Sequence, residues 1–287
     1  MDQIKLFIEL TRLKKPIGYM LLFWPCAWGL TLAYDFSTEK ITFLFYLTLF
    51  FLGAILMRSA GCIVNDIADK DFDKNVFRTK NRPIASGKIS IFQSIIYSLL
   101  LCLSAFFVLI QFNNFTIILA LGSMPLAFIY PLMKRYTYWP QFFLGITFNY
   151  GILLGWTSVT NEINLYPIIL YFGAVFWTIG YDTIYGLQDV YDDEIIGLKS
   201  TSIKFKNNIK IFLSISYSIF IISLILIGFL LELKIFYFIC VLIAFFQISY
   251  FQILKLELNN SMNQLKTFKS NNFLGLILLI GLLIGKI

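Results

Sequence analysis

Nine of the chain's sixteen acidic residues fall into two short runs. The first is Asn65-Asp66-Ile67-Ala68-Asp69-Lys70-Asp71-Phe72-Asp73, an N-D-x-x-D-x-x-x-D pattern, and the second holds Asp182, Asp189, Asp192, Asp193 and Glu194. On a helix turning about 100° per residue, Asn65, Asp69 and Asp73 share one face while Asp71 points elsewhere. The same geometry puts Asp182, Asp189 and Asp193 on one stripe, with Asp192 to its side. Like charges one turn apart repel, so each stripe asks for a cation. Carboxylate and amide oxygens suit Mg²⁺ or Mn²⁺, and Mg²⁺ is commonly held by one or two carboxylates together with water and phosphate oxygens. Two such stripes facing each other would grip a metal diphosphate, which makes Asn65, Asp66, Asp69, Asp73, Asp182, Asp189, Asp192 and Asp193 candidate metal ligands. The plainer alternative is that both runs are solvated loop acids.

Basic residues flank both runs. Lys70, Lys74, Arg78, Arg82, Lys199 and Lys204 either clamp an anionic substrate or simply mark one face of a membrane. Arg58 is the one charge inside an otherwise apolar stretch, so it needs a partner. That partner is either a carboxylate of the first run, such as Asp69, or the carboxylate of a bound acceptor, which a guanidinium holds in bidentate fashion. Lys134 and Arg135 follow another apolar stretch and either bind an anionic substrate or anchor the topology. Histidine is absent, which excludes His–metal sites, Ser–His–Asp triads and imidazole acid–base chemistry. Cys26, Cys62, Cys102 and Cys240 are scattered through apolar segments with no CxxC spacing, so they are packing residues.

The elements that must position these groups are membrane helices. Of 287 residues, 59% are hydrophobic and only 14% charged, against about 25% in a soluble domain. Nine apolar windows near the ~20 residues of a spanning helix follow one another. They cover about residues 16–34, 41–64, 90–110, 114–133, 138–158, 163–181, 210–231, 235–254 and 271–287, the ninth being the weakest because it opens on Ser-Asn-Asn. The expected fold is an all-α, multi-pass transmembrane bundle forming one domain over 1–287. With the N-terminus in the cytoplasm, 19 of the 23 lysines and arginines fall on the cytoplasmic side, as the positive-inside rule requires. The net charge of +7 therefore faces anionic lipid, and no nucleic-acid partner is expected. Residues 1–5 read as neither a secretory signal nor a transit peptide, which places the chain in a bacterial inner membrane. The acidic runs end the second and sixth spans, four spans apart, so orientation is preserved. That spacing suggests a parallel repeat of four helices plus four, with the ninth added, and chemistry at one membrane face. Ion-coupled transporters more often use inverted repeats around a midplane site. A divalent-cation transporter remains the rival class.

Several segments together resemble the UbiA-type membrane prenyltransferases, in particular their 4-hydroxybenzoate branch. They are residues 12–18 (RLKKPIG), 57–73 (MRSAGCIVNDIADKDFD), 78–83 (RTKNRP), 130–136 (YPLMKRY), 181–193 (YDTIYGLQDVYDD) and 196–201 (IGLKST). The resemblance runs from about residue 10 to residue 202. It implies Mg²⁺-dependent transfer of an isoprenoid chain from polyprenyl diphosphate to the ring of 4-hydroxybenzoate, or of another aromatic acceptor used by sister enzymes. By similarity Asn65, Asp69 and Asp73 form the first metal–diphosphate motif, and Asp189 and Asp193 the second, which makes the four aspartates the catalytic candidates. Asp66, Asp182 and Asp192 take supporting roles. Arg58 and Arg135 become candidates for the acceptor carboxylate, and no obligate protein partner is implied.

Overall fold

The computed structural model describes residues 3–37 and 40–286; Ile287, the end of the ninth expected span, lies outside them. Among the described residues every regular element is helical. A short N-terminal helix, α1 (Gln3–Thr11), precedes α2 (Ile17–Ala33) and the long α3 (Lys40–Ala68), which carries on into α4 (Lys70–Asp73). Next come α5 (Ile91–Leu109), α6 (Asn114–Ile129) and, past a 3-10 turn at Tyr130–Leu132, α7 (Met133–Tyr136). The fifth span is α8 (Pro140–Asn149) and α9 (Gly151–Thr160), nicked at Tyr150, and the sixth is α10 (Leu165–Gly186). Two short helices, α11 (Val190–Ile195) and α12 (Thr201–Lys204), lead to α13 (Ile209–Leu230), α14 (Ile235–Gln247) with a π-helical end at Ile248–Leu254, and α15 (Ser261–Lys286). Eight of the described segments are long and apolar enough to cross a membrane, and α2 is a shorter apolar helix. Among the described residues an apolar helix therefore lies at each of the nine expected windows, eight of them long enough to span.

Local chemistry sets the boundaries. Ser90, Asn113, Asn164 and Ser200 each accept a backbone N–H in the first turn of the helix they open, satisfying donors that have no intrahelical partner. Three boundaries differ from expectation, among them that of the sixth span, which runs on to Gly186 instead of ending near 181. The second span runs on to Ala68, carrying Asn65 and Asp66 on its last turn. The ninth begins at Ser261 rather than near 271, because its polar residues are buried against protein instead of breaking the helix. Asn271 donates to Gln252 Oε1 at 3.2 Å and accepts from Trp177 Nε1 at 2.7 Å, and Gln252 accepts from the Tyr217 hydroxyl at 2.5 Å. With no water available in hydrocarbon, such groups must satisfy one another.

The inner helices are α2 and α10. Along α2 every residue from Phe23 to Leu32 is buried, packed between α3, α9 and α15. Gly151 and Gly155 let α9 approach α2 with backbones in contact: a Cβ on Gly155 would lie 2.3 Å from the Cys26 carbonyl oxygen. This is the small-xxx-small packing that membrane helices use in place of a hydrophobic driving force. Trp28, Trp177 and Phe220 fill the centre, with ring centroids 5.1–6.3 Å apart. On the far side of α2 from the acidic runs, Lys286 of α15 donates to the carbonyls of Thr31, Leu32 and Tyr34 at 3.3, 2.7 and 2.6 Å. A second, smaller core lies beside the acidic runs, where Leu6 and Leu10 of α1 meet Ile63 of α3 and Ile84 and Ile89 of the loop before α5.

Candidate active site

The first acidic run keeps its expected stripe. Although α3 ends at Ala68, the Asp69 N–H donates to Asn65 O at 2.9 Å and the Asp73 N–H to Asp69 O at 2.8 Å, so the three residues still stack turn upon turn. Asn65 Nδ2 donates to Asp69 Oδ2 at 3.2 Å. Asp71 points outward and pairs with exposed Lys74 at 3.1 Å, so Lys74 stands apart from the other carboxylates.

The second run departs from expectation. A stripe through Asp182, Asp189 and Asp193 requires an unbroken helix, but α10 stops at Gly186. The chain tightens there: Asp189 N–H reaches Gly186 O at 3.1 Å, three residues back instead of four, which rotates Asp189 away from its straight-helix position relative to Asp182. The Asp193 N–H returns to Asp189 O at 2.8 Å, so these two remain one turn apart. Asp192 takes a different role, accepting the Phe77 N–H at 3.2 Å.

Basic side chains join the two runs. From the loop after the first, Arg78 holds Asp189 through both arms of its guanidinium, with Nε to Oδ1 at 2.7 Å, and its Nη1 donates to the Tyr185 hydroxyl at 2.8 Å. Arg82 Nη1 donates to Asp73 at 2.7 Å and to buried Asp66 at 3.1 Å. Lys134, from α7, donates to Asp69 Oδ2 at 2.5 Å. Arg135 donates to the Ala68 carbonyl at 2.5 Å, ending α3, and lies 4.0 Å from Asp69 Oδ1. Lys199 is tied to α7: its N–H donates to Lys134 O at 2.8 Å and its Nζ to Tyr136 O at 3.2 Å. Lys204 lies over Trp139, 5.1 Å from the ring centroid. Lys70 is half-buried and pairs with no carboxylate among the described residues.

The carboxylates are short of positive charge despite these partners. Burial pushes the Asp69 carboxyl up against the pull of Lys134. Burial, followed by repulsion from Asp189, pushes Asp193 up to about 6, with Lys134 and Arg78 both acting the other way. Among the described residues no three acidic or cysteine side chains approach closely enough to hold a metal ion on their own. Mg²⁺ does not need three, because waters and phosphate oxygens complete its shell. The donor set fits it: all oxygen, in acidic pairs, with Asp69 Oδ1 buried and lacking any hydrogen-bond partner. A cation there would satisfy that oxygen and relieve the repulsion at Asp193.

Deeper in α3, Arg58 rests over the Phe148 ring, 5.4 Å from its centroid. Only a glycine at position 18 leaves it room, since a Cβ there would lie 2.8 Å from Arg58 Nε. Of the two partners open to Arg58, Asp69 is engaged by Lys134, and among the described residues no carboxylate pairs with Arg58. Asp182 of α10 lies within electrostatic reach of Arg58 without contacting it, so the guanidinium, aromatic on one side, keeps its donors open to an incoming carboxylate. Arg12 and Tyr185 were not among the sequence candidates. Arg12, which bonds Asp66, lies in a motif but before the first span, where positive charge is expected on topological grounds alone. Tyr185 offered only its place in the 181–193 motif.

The profile of the UbiA prenyltransferase family matches residues 22–276. A mitochondrial 4-hydroxybenzoate polyprenyltransferase of Arabidopsis thaliana is 41% identical over 286 residues, covering 99% of this chain and 70% of the relative. A 4-hydroxybenzoate octaprenyltransferase of Hydrogenovibrio crunogenus is 37% identical over 283 residues, covering 99% of this chain and 98% of the relative. A solved UbiA homolog from Archaeoglobus fulgidus, bound to DMAPP and Mg²⁺, shares the fold with a TM-score of 0.73 at 18% identity, over 96% of this chain and 98% of that one.

Proposed function

Since the chain belongs to the UbiA prenyltransferase family, we propose that it transfers a polyprenyl chain from polyprenyl diphosphate to the ring carbon ortho to the hydroxyl of 4-hydroxybenzoate, a membrane step of ubiquinone biosynthesis. The observation that carries this reading is the pairing of one polar mouth, where two acidic runs meet around Lys134 and Arg78, with Arg58 in the same long helix, α3, lying over Phe148 and in contact with no carboxylate among the described residues. The curated relatives support the choice of acceptor by their names.

Asn65, Asp69 and Asp73 on one side and Asp189 and Asp193 on the other would hold Mg²⁺, in keeping with the Mg²⁺ bound by the Archaeoglobus homolog. The ion supplies Lewis-acid stabilisation of the charge that collects on the departing diphosphate. Arg78, Arg82 and Lys134 carry positive charge to the same oxygens, and each is already held beside the site by a carboxylate it can exchange for phosphate. Arg58 takes the acceptor's carboxylate and thereby orients the ring. No histidine base is needed, because the phenol activates its own ring and the displaced proton leaves to diphosphate, a carboxylate or water. A divalent-cation path would need acidic groups along its length. The carboxylate nearest mid-membrane, Asp182, lies one turn from the end of α10, which favours chemistry at the interface. The residue charges support a bacterial inner membrane with the acidic runs facing the cytoplasm.

Membranes containing the protein, supplied with both substrates and Mg²⁺, are expected to yield prenylated 4-hydroxybenzoate by mass spectrometry. Absence of product with expression verified overturns the proposal. Arg58→Ala is expected to raise KM for 4-hydroxybenzoate by about 30-fold or more, the cost of losing one partner of a buried charge pair, with KM for the prenyl donor little changed. Arg58→Lys recovers only part of this, since an ammonium lacks the planar fork. Unchanged acceptor KM in both variants removes Arg58 from the acceptor site.

A further inference from the structure

α1 stops at Thr11, and the next residue, Arg12, has φ of +56°, a left-handed conformation sparsely occupied by residues other than glycine. Its N–H donates to Glu9 O at 3.2 Å and its carbonyl accepts from Lys15 N at 2.8 Å, so the turn is hydrogen-bonded on both sides. A glycine would serve the backbone better. Arginine contributes a side chain that runs to the cytoplasmic end of α3, where Nη2 donates to Asp66 Oδ1 and Nη1 lies 3.8 Å from Cys62 Sγ. Asp66 is 2% exposed. Its Oδ1 also accepts from Arg82 Nη1, and the same Nη1 donates to Asp73 Oδ2 at 2.7 Å. Arg12, Asp66, Arg82 and Asp73 thus form one continuous chain of charge-assisted hydrogen bonds. Independently, the loop that carries Arg78 and Arg82 is seated on α1 through apolar packing of Ile84 and Ile89 with Leu6 and Leu10.

We propose that Arg12 is a positioning residue for the diphosphate clamp: through buried Asp66 it holds Arg82 at the mouth of the acidic site, so that Arg82 keeps one anchor when it exchanges Asp73 for a diphosphate oxygen. Asp66 is then a strut and not a metal ligand. It sits next to Asn65 in sequence, but its Oδ1 is taken up by two guanidiniums, that of Arg12 and that of Arg82, which it shares with Asp73. A buried carboxylate shared by two guanidiniums is well matched to this role, since without Arg12 the carboxylates of Asp66 and Asp73 share Arg82 alone. The proposal rests on the prenyl-transfer reading for its kinetic consequences, whereas the placement of the loop is a property of the chain alone.

Arg12→Gly separates the two roles, because it relieves the backbone and removes the guanidinium. It is expected to raise KM for polyprenyl diphosphate by about tenfold, as the loss of a supporting partner does. The KM for 4-hydroxybenzoate stays unchanged, and trypsin cleaves the 74–90 loop faster in the purified full-length protein. Arg12→Lys keeps the charge and stays close to wild type in both measurements. Inorganic pyrophosphate with Mg²⁺ protects the loop in the wild type and fails to in Arg12→Gly, a comparison that stands even if no prenyl transfer is found. Wild-type donor KM and cleavage rate in Arg12→Gly make Arg12 a helix stop only and overturn the proposal, as does an equal rise in both KM values. If Arg12→Gly does not fold, Asp66→Asn carries the test, with the same KM split and loop cleavage expected. A raised Mg²⁺ requirement in Asp66→Asn, with the loop still protected, marks Asp66 as a metal ligand and sinks the strut.

Discussion

Asp69→Ala is expected to abolish prenyl transfer and to leave a protein that still inserts and folds. Asp69 is 1% exposed and the most densely contested acid in the molecule. Asn65 and Lys134 both donate to its Oδ2, while Arg135 stands 4.0 Å from an Oδ1 that has no hydrogen-bond partner. Alanine removes that free oxygen and the charge that sets Lys134 in place, so on the proposed reading the grip on Mg²⁺ and the contact to the diphosphate would fail together. Loss of even one preorganised electrostatic partner of a transition state costs about 10²–10³ in turnover, and here at least that much is expected. The fold survives because the abandoned cations reach solvent: the Lys134 and Arg135 side chains are 26% and 32% exposed. Asp193→Ala is expected to match it from the other run, where burial and Asp189 already hold the carboxyl up. Product measured in membranes, beside a monodisperse elution profile in detergent, checks both. Turnover above a tenth of wild type in Asp69→Ala removes that residue from the catalytic site.

The second large effect is on stability. Gly155→Ala adds one methyl group where no side chain can move aside, because the colliding atoms are the Cys26 carbonyl oxygen at 2.3 Å and the Leu30 nitrogen at 2.5 Å, both backbone. To admit it, α9 and α2 must separate along their whole contact, and α2 is the helix around which α3 and α15 are also packed. Overpacking of this kind costs about 1–3 kcal/mol or more, and the thermal midpoint of the detergent-solubilised protein is expected to fall by about 10 °C. Gly53→Ala is the control: its Cβ would meet nothing within 4 Å, and alanine is the better helix former by about 0.5–1 kcal/mol. Equal midpoints for the two variants contradict the close α2–α9 contact.

The same packing explains what could be read from the residues alone. Charge is so scarce in this chain that each charged position is informative, and so the nine spans and both acidic runs were legible. Geometry that depends on a local break was not. The turn at residues 187–189 carries no proline or glycine after Gly186, so straight-helix arithmetic ran through a local tightening, where Asp189 N–H bonds three residues back, that the residues do not announce. The start of α15 was hidden for the opposite reason: Gln264 resembles a loop residue until the Leu258 carbonyl is known to lie beside it, and Asn271 until Gln252 and Trp177 are. Arg12 was the least visible, since nothing in an arginine announces a positive φ. Arg58 was legible as a cation in need of a partner, but only the pairing of Lys134 with Asp69 narrowed which partner.

The ring of helices has an order of manufacture. α2 enters the bilayer early, with the indole N–H groups of Trp24 and Trp28 and the last carbonyls of its own turn. Their partners, Asn272, Gly275 O and Lys286, all belong to α15, more than two hundred residues downstream and synthesised after every other described helix. Until then the central helix of the bundle has donors and acceptors waiting in hydrocarbon. A ribosome stalled anywhere before α15 therefore leaves an open ring with its most costly polar groups unmet, a state suited to capture by membrane quality control. Delivery of α15 satisfies both indoles and the C-terminal carbonyls of α2 and sets Asn271 against Trp177, so the packing around α2 is complete only once that helix has been made.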